Sequence, residues 1–172
     1  GLETLGYPPE KIRLRVAEIS TFFGIDDWFS KKVGELSGGE KQILNLAAVV
    51  AMDPEVLILD EPTSQLNPIA AAEFLQLLRK LRDELGMTIL LSEHRLEEAL
   101  PLADAMAVLE EGRLIAFGKP RAVMRELAEA PIAAAFPTAV RMFWAAGAAG
   151  DPPVTIGEGR AWLAAQGLRP AL

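Results

Sequence analysis

The sequence predicts an α/β fold in which most strands are parallel. Continuous apolar runs predict buried strands at 56–59 and 88–91 and a third strand at 105–109, and the first run is typical of a strand covered on both faces. Segments with apolar residues at helical spacing alternate with these runs, which favours a mostly parallel sheet. Ligands of such sheets bind at the carboxyl ends of the strands, so polar residues there are the first candidates for function.

Composition narrows the function classes. The 172 residues fit one domain of ordinary size, and a net charge of −7 argues against broad electrostatic binding to nucleic acid, although a local basic site stays possible. The chain has no cysteine and a single histidine, which excludes disulfides, thiolate metal sites and multi-histidine sites. No secretory signal is visible, and no apolar stretch reaches the about 18–20 residues of a membrane-spanning helix.

The amino-terminal part is predicted to be helical. A helix over Pro8–Phe23 ends at Gly24, and a short helix or turn over Asp26–Lys32 carries Trp28 and Phe29. These two aromatic residues could contact a partner, but burial is favoured because small helical units bury their aromatic side chains. The apolar residues at helical spacing in the first helix are Ile12, Val16, Ile19 and Phe23.

A glycine turn with the sequence SGGE, at 37–40, opens the next predicted helix, Glu40–Met52. Ser37 and Glu40 have the spacing of a capping box, in which each side chain accepts a hydrogen bond from the other residue's amide. The turn also leaves amides unpaired at the positive end of the helix dipole, so phosphate is a natural ligand. Both interpretations stay open. The expected buried residues of this helix are Ile43, Leu44, Ala47, Val50 and Ala51.

Two carboxylates, Asp60 and Glu61, follow the predicted strand Val56–Leu59. We expect Asp60 to lie in a low-dielectric setting, where a bare charge is costly unless a cation or hydrogen-bond donors compensate it. The Mg²⁺ of a nucleotide would do so, and Glu61 could polarise a water for attack on a phosphoryl group. The plain alternative is a solvated acidic pair at the end of a strand.

His94 follows the second predicted strand, Thr88–Leu91. A lone histidine is more often a core or surface residue than a functional one, but His94 falls at the same predicted sheet edge as Asp60 and Glu61. Between the two strands, the spacing predicts a helix over Pro68–Leu85. Its expected buried residues are Ala71, Phe74, Leu75, Leu78 and Leu81.

The chain changes character at Ala130. Before it, the pattern predicts a helical turn at 97–102, the third strand, a hairpin strand at 113–117 and a helix at 120–128. After it, a tail rich in alanine, glycine and proline is expected to be an appended segment or linker with one short helix, Glu158–Gln166. The aromatic residues expected to pack back on the domain are Phe143, Trp144 and Trp162.

Together, these motifs resemble those of ATP-binding-cassette (ABC) ATPases. LSGGE at 36–40 is similar to the signature motif, VLILDE at 56–61 to the Walker B strand and SQLN at 64–67 to the D-loop, while His94 resembles the switch histidine. The resemblance implies the carboxyl part of a P-loop NTPase (RecA-like) cassette. It divides the chain into a helical signature-motif subdomain at 1–53, a core α/β lobe at 54–129 and a C-terminal extension or linker at 130–172.

The resemblance also implies roles at the strand ends. Asp60 would hold Mg²⁺ through water, Glu61 would act as general base, and His94 would contact the γ-phosphate of ATP and the attacking water. A full-length protein of this type is an ATP hydrolase. The loop GxxxxGK[ST] is missing from this sequence, as is the glutamine loop, so the chain is expected to be a fragment that by itself neither binds ATP tightly nor hydrolyses it.

Ser37, Gly38 and Gly39 are expected to bind the γ-phosphate of ATP held by an opposing cassette. Glu40 and Asn67 are further candidate cofactor-binding residues. These two depart from the transporter pattern. Glu40 stands where Gln is usual, which brings a negative charge near phosphate, and Asn67 replaces the usual D-loop Asp, which could weaken coupling between the two sites.

Three longer segments resemble energy-coupling-factor importers of vitamins and cobalt: 60–74, 92–104 and the tail from 137. The likeness is to the first cassette of a tandem-cassette subunit, a type associated with thiamine-precursor uptake. It implies a second cassette in the same chain or in a dimer partner, and transmembrane energy-coupling and substrate-binding proteins. It also implies a peripheral position on the cytoplasmic face of the cell membrane and no nucleic-acid partner.

Two other functions are compatible with parts of the sequence. LSGGEK also occurs in the heads of chromosome-maintenance and DNA-repair ATPases, but the acidic charge and the lack of sustained heptads in 1–35 weigh against that class. A non-catalytic module that docks on a membrane partner is the other alternative. The presence of Asp60, Glu61 and His94 together argues against it.

Overall fold

The structure is a computed structural model that describes residues 1–168. The last four residues of the predicted tail, 169–172, lie outside the described residues. The chain divides into two compact units, one comprising Gly1–His94 and one beginning at Arg95. Within the described residues, no helix is both long enough and apolar enough to cross a membrane.

The first unit combines three helices with one pair of strands. The strands pair in parallel, with Asp60 at the end of one opposite Ser92 at the end of the other. The elements in chain order are α1 (Pro9–Phe23), 3-10 helices at Asp26–Ser30 and Val33–Glu35, α2 (Gly38–Val50), β1 (Val56–Asp60), α3 (Pro68–Leu85) and β2 (Thr88–Ser92).

The buried face of α3 agrees with the prediction at all five positions: Ala71, Phe74, Leu75, Leu78 and Leu81. In α1 only Ile19 of the predicted apolar residues is buried, and the other three are half-buried. In α2 the predicted Ala47 and Val50 are buried, as is Ala51 just after the helix, but Leu46 is buried where Ile43 and Leu44 were expected. The longest helix has the clearest periodicity because its buried face repeats over most turns.

Three further burial predictions in the first unit are wrong. The strand β2, which was also predicted to be buried, contains no buried residue. The strand β1 is covered on one face only: Leu57 is buried, whereas Val56 and Ile58 are 51% and 70% exposed. Successive side chains of a strand point to opposite faces, and the described residues cover only one of them. Phe29 is 66% exposed instead of buried, because it lies in a five-residue 3-10 helix in which no residue is buried. Trp28 is half-buried.

The second unit is built on an antiparallel hairpin. β3 (Met106–Glu110) and β4 (Arg113–Gly118) pair through a turn at Glu111 and Gly112, both with positive φ, which confirms the predicted hairpin. The parallel pairing predicted for the sheet is present between β1 and β2, while among the described residues β3 pairs with β4 and does not extend that sheet. The helices of the unit are α4 (Leu96–Ala99), α5 (Pro120–Glu126), α6 (Thr138–Ala145) and α7 (Ile156–Ala165), with 3-10 helices at Leu100–Leu102 and Pro131–Ala135.

The tail contributes to the core of the second unit. Its residues Phe136, Val140 and Val154 cluster with Leu100 and Met124. The predicted helix is present as α7, capped by Thr155 Oγ1, which accepts a hydrogen bond from the Glu158 amide. Helix α6 was not predicted, because the prolines and glycines around it indicate irregular structure and the helix is only eight residues long. Of the aromatic residues predicted to pack on the domain, Trp144 packs against this cluster. Phe143 and Trp162 contact each other within the tail, with ring centroids 5.2 Å apart.

Candidate functional site

The ends of β1 and β2 bring together Glu61 and His94. His94 Nε2 lies 2.9 Å from Glu61 Oε1, within hydrogen-bond distance, although 33 positions separate the two residues in the chain. Both side chains are accessible, with 45% of the Glu61 side chain and 82% of the His94 side chain exposed. The predicted juxtaposition of a candidate base and a histidine at one sheet edge is therefore confirmed, and His94 is a surface histidine.

Asp60 ends β1 opposite Ser92, next to this pair. Its side chain is exposed, so the expectation of a low-dielectric setting is wrong. The reason is that β1 has only one covered face, and the carboxylate at its end reaches solvent. The chemistry expected of Asp60 then rests on its position beside Glu61 and His94, and not on a buried charge that needs compensation.

The backbone at Glu61 leaves the strand in a conformation that favours glycine, with φ of 44°. The residue before a proline is further disfavoured in helical regions, and Pro62 follows directly. Such a conformation costs about 1–3 kcal/mol and persists only where the surrounding structure holds it. The Glu61 amide donates to the Ser92 carbonyl at 3.0 Å, which continues the parallel ladder by one step and ties the strained residue to β2.

Sequence reasoning missed a second contact between the loop that follows β1 and the loop that follows β2. Thr63 is fully buried, and its Oγ1 donates to Glu93 Oε1 at 2.7 Å. The same carboxylate oxygen accepts a hydrogen bond from the His94 amide at 3.2 Å. The sequence contained one signal for this contact, because a polar residue lies near each member of the Glu61–His94 pair. Thr63 follows Glu61 by two positions, and Glu93 directly precedes His94.

The glycine turn forms the capping box that its spacing predicted. Ser37 Oγ accepts from the Glu40 amide at 3.2 Å, and Glu40 Oε2 accepts from the Ser37 amide at 2.7 Å. These hydrogen bonds with Ser37, together with the charge of Lys31, lower the pKa of the Glu40 carboxyl. Lys31 Nζ lies 3.6 Å from Glu40 Oε1, so the unusual negative charge of this turn has a positive partner.

Asn67 is the N-cap of α3, and its Oδ1 accepts a hydrogen bond from the Ala70 amide at 2.9 Å. The first turn of α3 also lies close to the glycine turn: a Cβ added at Gly39 would be 3.0 Å from the Cβ of Ala70. A side chain at Gly38, by contrast, would meet nothing within 4 Å. The predicted site residues thus meet in two places. Glu61 contacts His94 at the strand ends, and the glycine turn at the start of α2 lies close to the start of α3.

The donor set suits a nucleotide-bound Mg²⁺. No group of three or more His, Cys, Asp or Glu side chains within residues 1–168 could hold a metal ion by itself. Mg²⁺ commonly uses one or two carboxylates and completes its shell with water and substrate phosphates. The exposed carboxylate of Asp60, with Glu61 beside it, fits that mode of binding.

Comparisons with known proteins agree on one family. A family model described as ABC transporter matches residues 6–64. A protein of Bacillus thuringiensis described as an ABC transporter ATP-binding protein is 49% identical over 128 residues, covering 74% of this chain and 23% of that protein. A protein of Clostridium tetani with the same description is 36% identical over 160 residues, covering 93% of this chain and 36% of that protein. The chain therefore spans a minor part of the length of these relatives.

Solved structures give the same result. CbiO1 from Clostridium perfringens, described as part of the ABC transporter complex CbiONQ, matches with a TM-score of 0.63 and 33% identity, over 75% of this chain and 54% of that one. MJ1267, described as an ATP-binding cassette of an ABC transporter, matches with a TM-score of 0.65 and 26% identity, over 73% of this chain and 49% of that one. These neighbours are P-loop NTPase cassettes and confirm the predicted fold class. The chain belongs to the family of ABC transporter ATPases.

Proposed function

We propose that the protein containing this chain hydrolyses ATP as the nucleotide-binding subunit of an ABC importer. The observation that carries the proposal is the contact of 2.9 Å between Glu61 and His94 beside Asp60, at the carboxyl ends of two parallel strands. Members of this family are ATP hydrolases, and a nucleotide bound at this edge of the sheet would lie within reach of the Glu61 carboxylate and the His94 ring, which supports the proposal.

The chemistry is water attack on a phosphoryl group. Glu61 accepts the proton of the attacking water, which is the role of a general base. His94, whose ring nitrogen lies against the Glu61 carboxylate, contacts the same water and the γ-phosphate. Asp60 would hold the Mg²⁺ of the nucleotide, and that ion would supply positive charge to the phosphates.

The glycine turn completes a site on an opposing cassette. Ser37, Gly38 and Gly39 would bind the γ-phosphate, with Glu40 and Asn67 beside it. The capping box is compatible with this role, because a hydroxyl that accepts one hydrogen bond can still donate its own proton. The first amides of α2 have no partner within the helix and carry the positive end of its dipole. Lys31 offsets the negative charge of Glu40.

The importer class is proposed from the likeness to CbiO1, whose description makes it part of the ABC transporter complex CbiONQ. We assign this chain to an energy-coupling-factor importer of a vitamin or a metal ion, with a second cassette and with transmembrane coupling and substrate-binding proteins as partners. It would lie peripherally on the cytoplasmic face of the membrane. In this assignment 1–53 is the helical subdomain, 54–129 the core lobe and 130–172 a C-terminal extension.

The test is ATP hydrolysis by the full-length protein assembled with its partners. E61Q should reduce turnover by about 10²- to 10⁴-fold, the range of general-base catalysis. The control is E73Q, the same substitution at an exposed position of α3, which should leave turnover unchanged. Equal turnover in E61Q and wild type would refute the assignment, and unchanged transport in that variant would favour a non-catalytic docking module. Salt-sensitive binding to duplex DNA would favour a chromosome-maintenance ATPase.

A further inference from the structure

We propose that Thr63 and Glu93 act as positioning residues that hold Glu61 and His94 in register. We name this pair the brace. Its structural part stands on this chain alone, while its consequence for turnover rests on the proposed ATP hydrolysis. Thr63 has no exposed surface, so it would act on the reaction only through its neighbours.

The brace joins the two loops through one oxygen atom. Glu93 Oε1 accepts from Thr63 Oγ1 at 2.7 Å and from the His94 amide at 3.2 Å. Thr63 follows Glu61 by two positions, and Glu93 precedes His94 directly. Of the two hydrogen bonds, the one from Thr63 crosses between the loops, so a displacement of one loop relative to the other would lengthen it.

The functional pair needs such support, because its own contact is weak. Glu61 and His94 meet at the surface, with 45% and 82% of their side chains exposed, and exposed pairs of this kind contribute little to holding a geometry. The Glu61 backbone is also in the left-handed region with φ of 44°, a conformation that depends on its surroundings. The hydrogen bond from Thr63 to the Glu93 carboxylate is partly buried and therefore stronger than an exposed one, so the brace is better placed to fix the two loops.

Removal of the Thr63 hydroxyl should release this constraint. T63V keeps the shape of the side chain but leaves the Glu93 carboxylate with one donor fewer in a buried position. T63S keeps the donor and serves as the conservative variant. T88V is the matched control, because Thr88 is exposed and lies at the far end of β2 from His94.

The first measurement is the steady-state kinetics of the assembled full-length protein. T63V should lower kcat for ATP hydrolysis by about tenfold to a hundredfold, the cost of misplacing a reacting group by a fraction of an ångström to one ångström, with little change in KM. T63S should recover most of kcat, and T88V should retain it. A T63V protein with wild-type kcat per folded molecule, or a T63S protein as slow as T63V, would overturn the proposal.

The second measurement does not depend on ATP hydrolysis. His94 is the only histidine, so its ring gives a single set of NMR signals in the 172-residue chain. The E61A chain supplies the reference spectrum for a lost contact between Glu61 and His94. T63V should move the ring signals from the wild-type position towards that reference, and T63S should not. If the T63V signals coincide with those of the wild type, the brace is overturned, even if the wild type hydrolyses ATP. If T63V shifts the signals but the wild type has no ATPase activity, only the proposed function is refuted.

Discussion

Replacement of Gly39 by alanine separates the packing of the glycine turn from its proposed contact with phosphate. Gly38 and Gly39 are adjacent in the first turn of α2, and neither has a positive φ, so alanine fits the backbone at both. Only Gly39 faces a neighbour, because its added Cβ would lie 3.0 Å from the Cβ of Ala70. G38A is therefore a matched control for G39A.

The expected magnitudes follow from these distances. Alanine in place of glycine stabilises a compatible position by about 0.4–1 kcal/mol, mainly because it restricts the unfolded chain, and G38A should show this gain. Carbon atoms pack best about 3.5–4.0 Å apart, so the Cβ atoms at 39 and 70 would overlap. Overpacking of this kind costs about 1–3 kcal/mol. G39A should therefore have a free energy of unfolding lower than that of G38A by about 1–3 kcal/mol.

The assay is urea unfolding of the chain, followed by circular dichroism, with the dependence on urea concentration compared between variants. A70G should relieve the overlap. The loss in free energy of unfolding of the double variant G39A/A70G should therefore be smaller than the sum of the losses of the two single variants, by about 1–3 kcal/mol. If G39A is as stable as G38A, or if A70G gives no such recovery, the close approach of α2 and α3 is not as the structure has it.

The same variants then test phosphate binding in the full-length assembly. If Gly39 serves the γ-phosphate of an opposing cassette, G39A/A70G recovers stability but not ATP turnover, because its methyl group still lies at the turn. Recovery of both would mean that Gly39 is required only for the packing of α2 against α3.

Two further predictions concern stability. Burial raises the pKa of the Glu158 carboxyl, but hydrogen bonds from Arg121 and the Val154 amide outweigh burial and leave the pKa lowered. The ionised carboxylate therefore stabilises the fold at neutral pH, and this contribution is lost as the pH falls through the lowered pKa. E158Q should consequently lose less stability than wild type between about pH 5 and about pH 3 in thermal unfolding, and equal losses would contradict the lowered pKa. On α3, F74A should cost about 3–5 kcal/mol in urea unfolding, because Phe74 is 1% exposed. I69A, at a position 74% exposed on the same helix, should change stability by no more than about 0.5 kcal/mol, and equal costs would refute the assigned buried face.

Sequence patterns located most elements because helices and strands leave periodic signals. The five buried residues of α3 and the hairpin turn at Glu111 and Gly112 were both recoverable from spacing. The exposure of Phe29 and of Ile58 was not, because a pattern shows that a residue is apolar and not whether another element covers it. Helix α6 was missed for a different reason: its eight residues make only about two turns, too few to show a period within a tail punctuated by prolines.

The motifs by themselves determined the family and the candidate residues, because Ser37, Asp60, Glu61 and His94 stand in order along short, locally ordered segments. Only the tertiary structure decided which of them meet. The contact between Glu61 and His94 joins residues 33 positions apart, and the one between Thr63 and Glu93 joins residues 30 positions apart. Gly39 of α2 lies close to Ala70 of α3. Such contacts depend on how β1 and β2 pair and how α2 and α3 pack, and local periodicity carries no information on those distances.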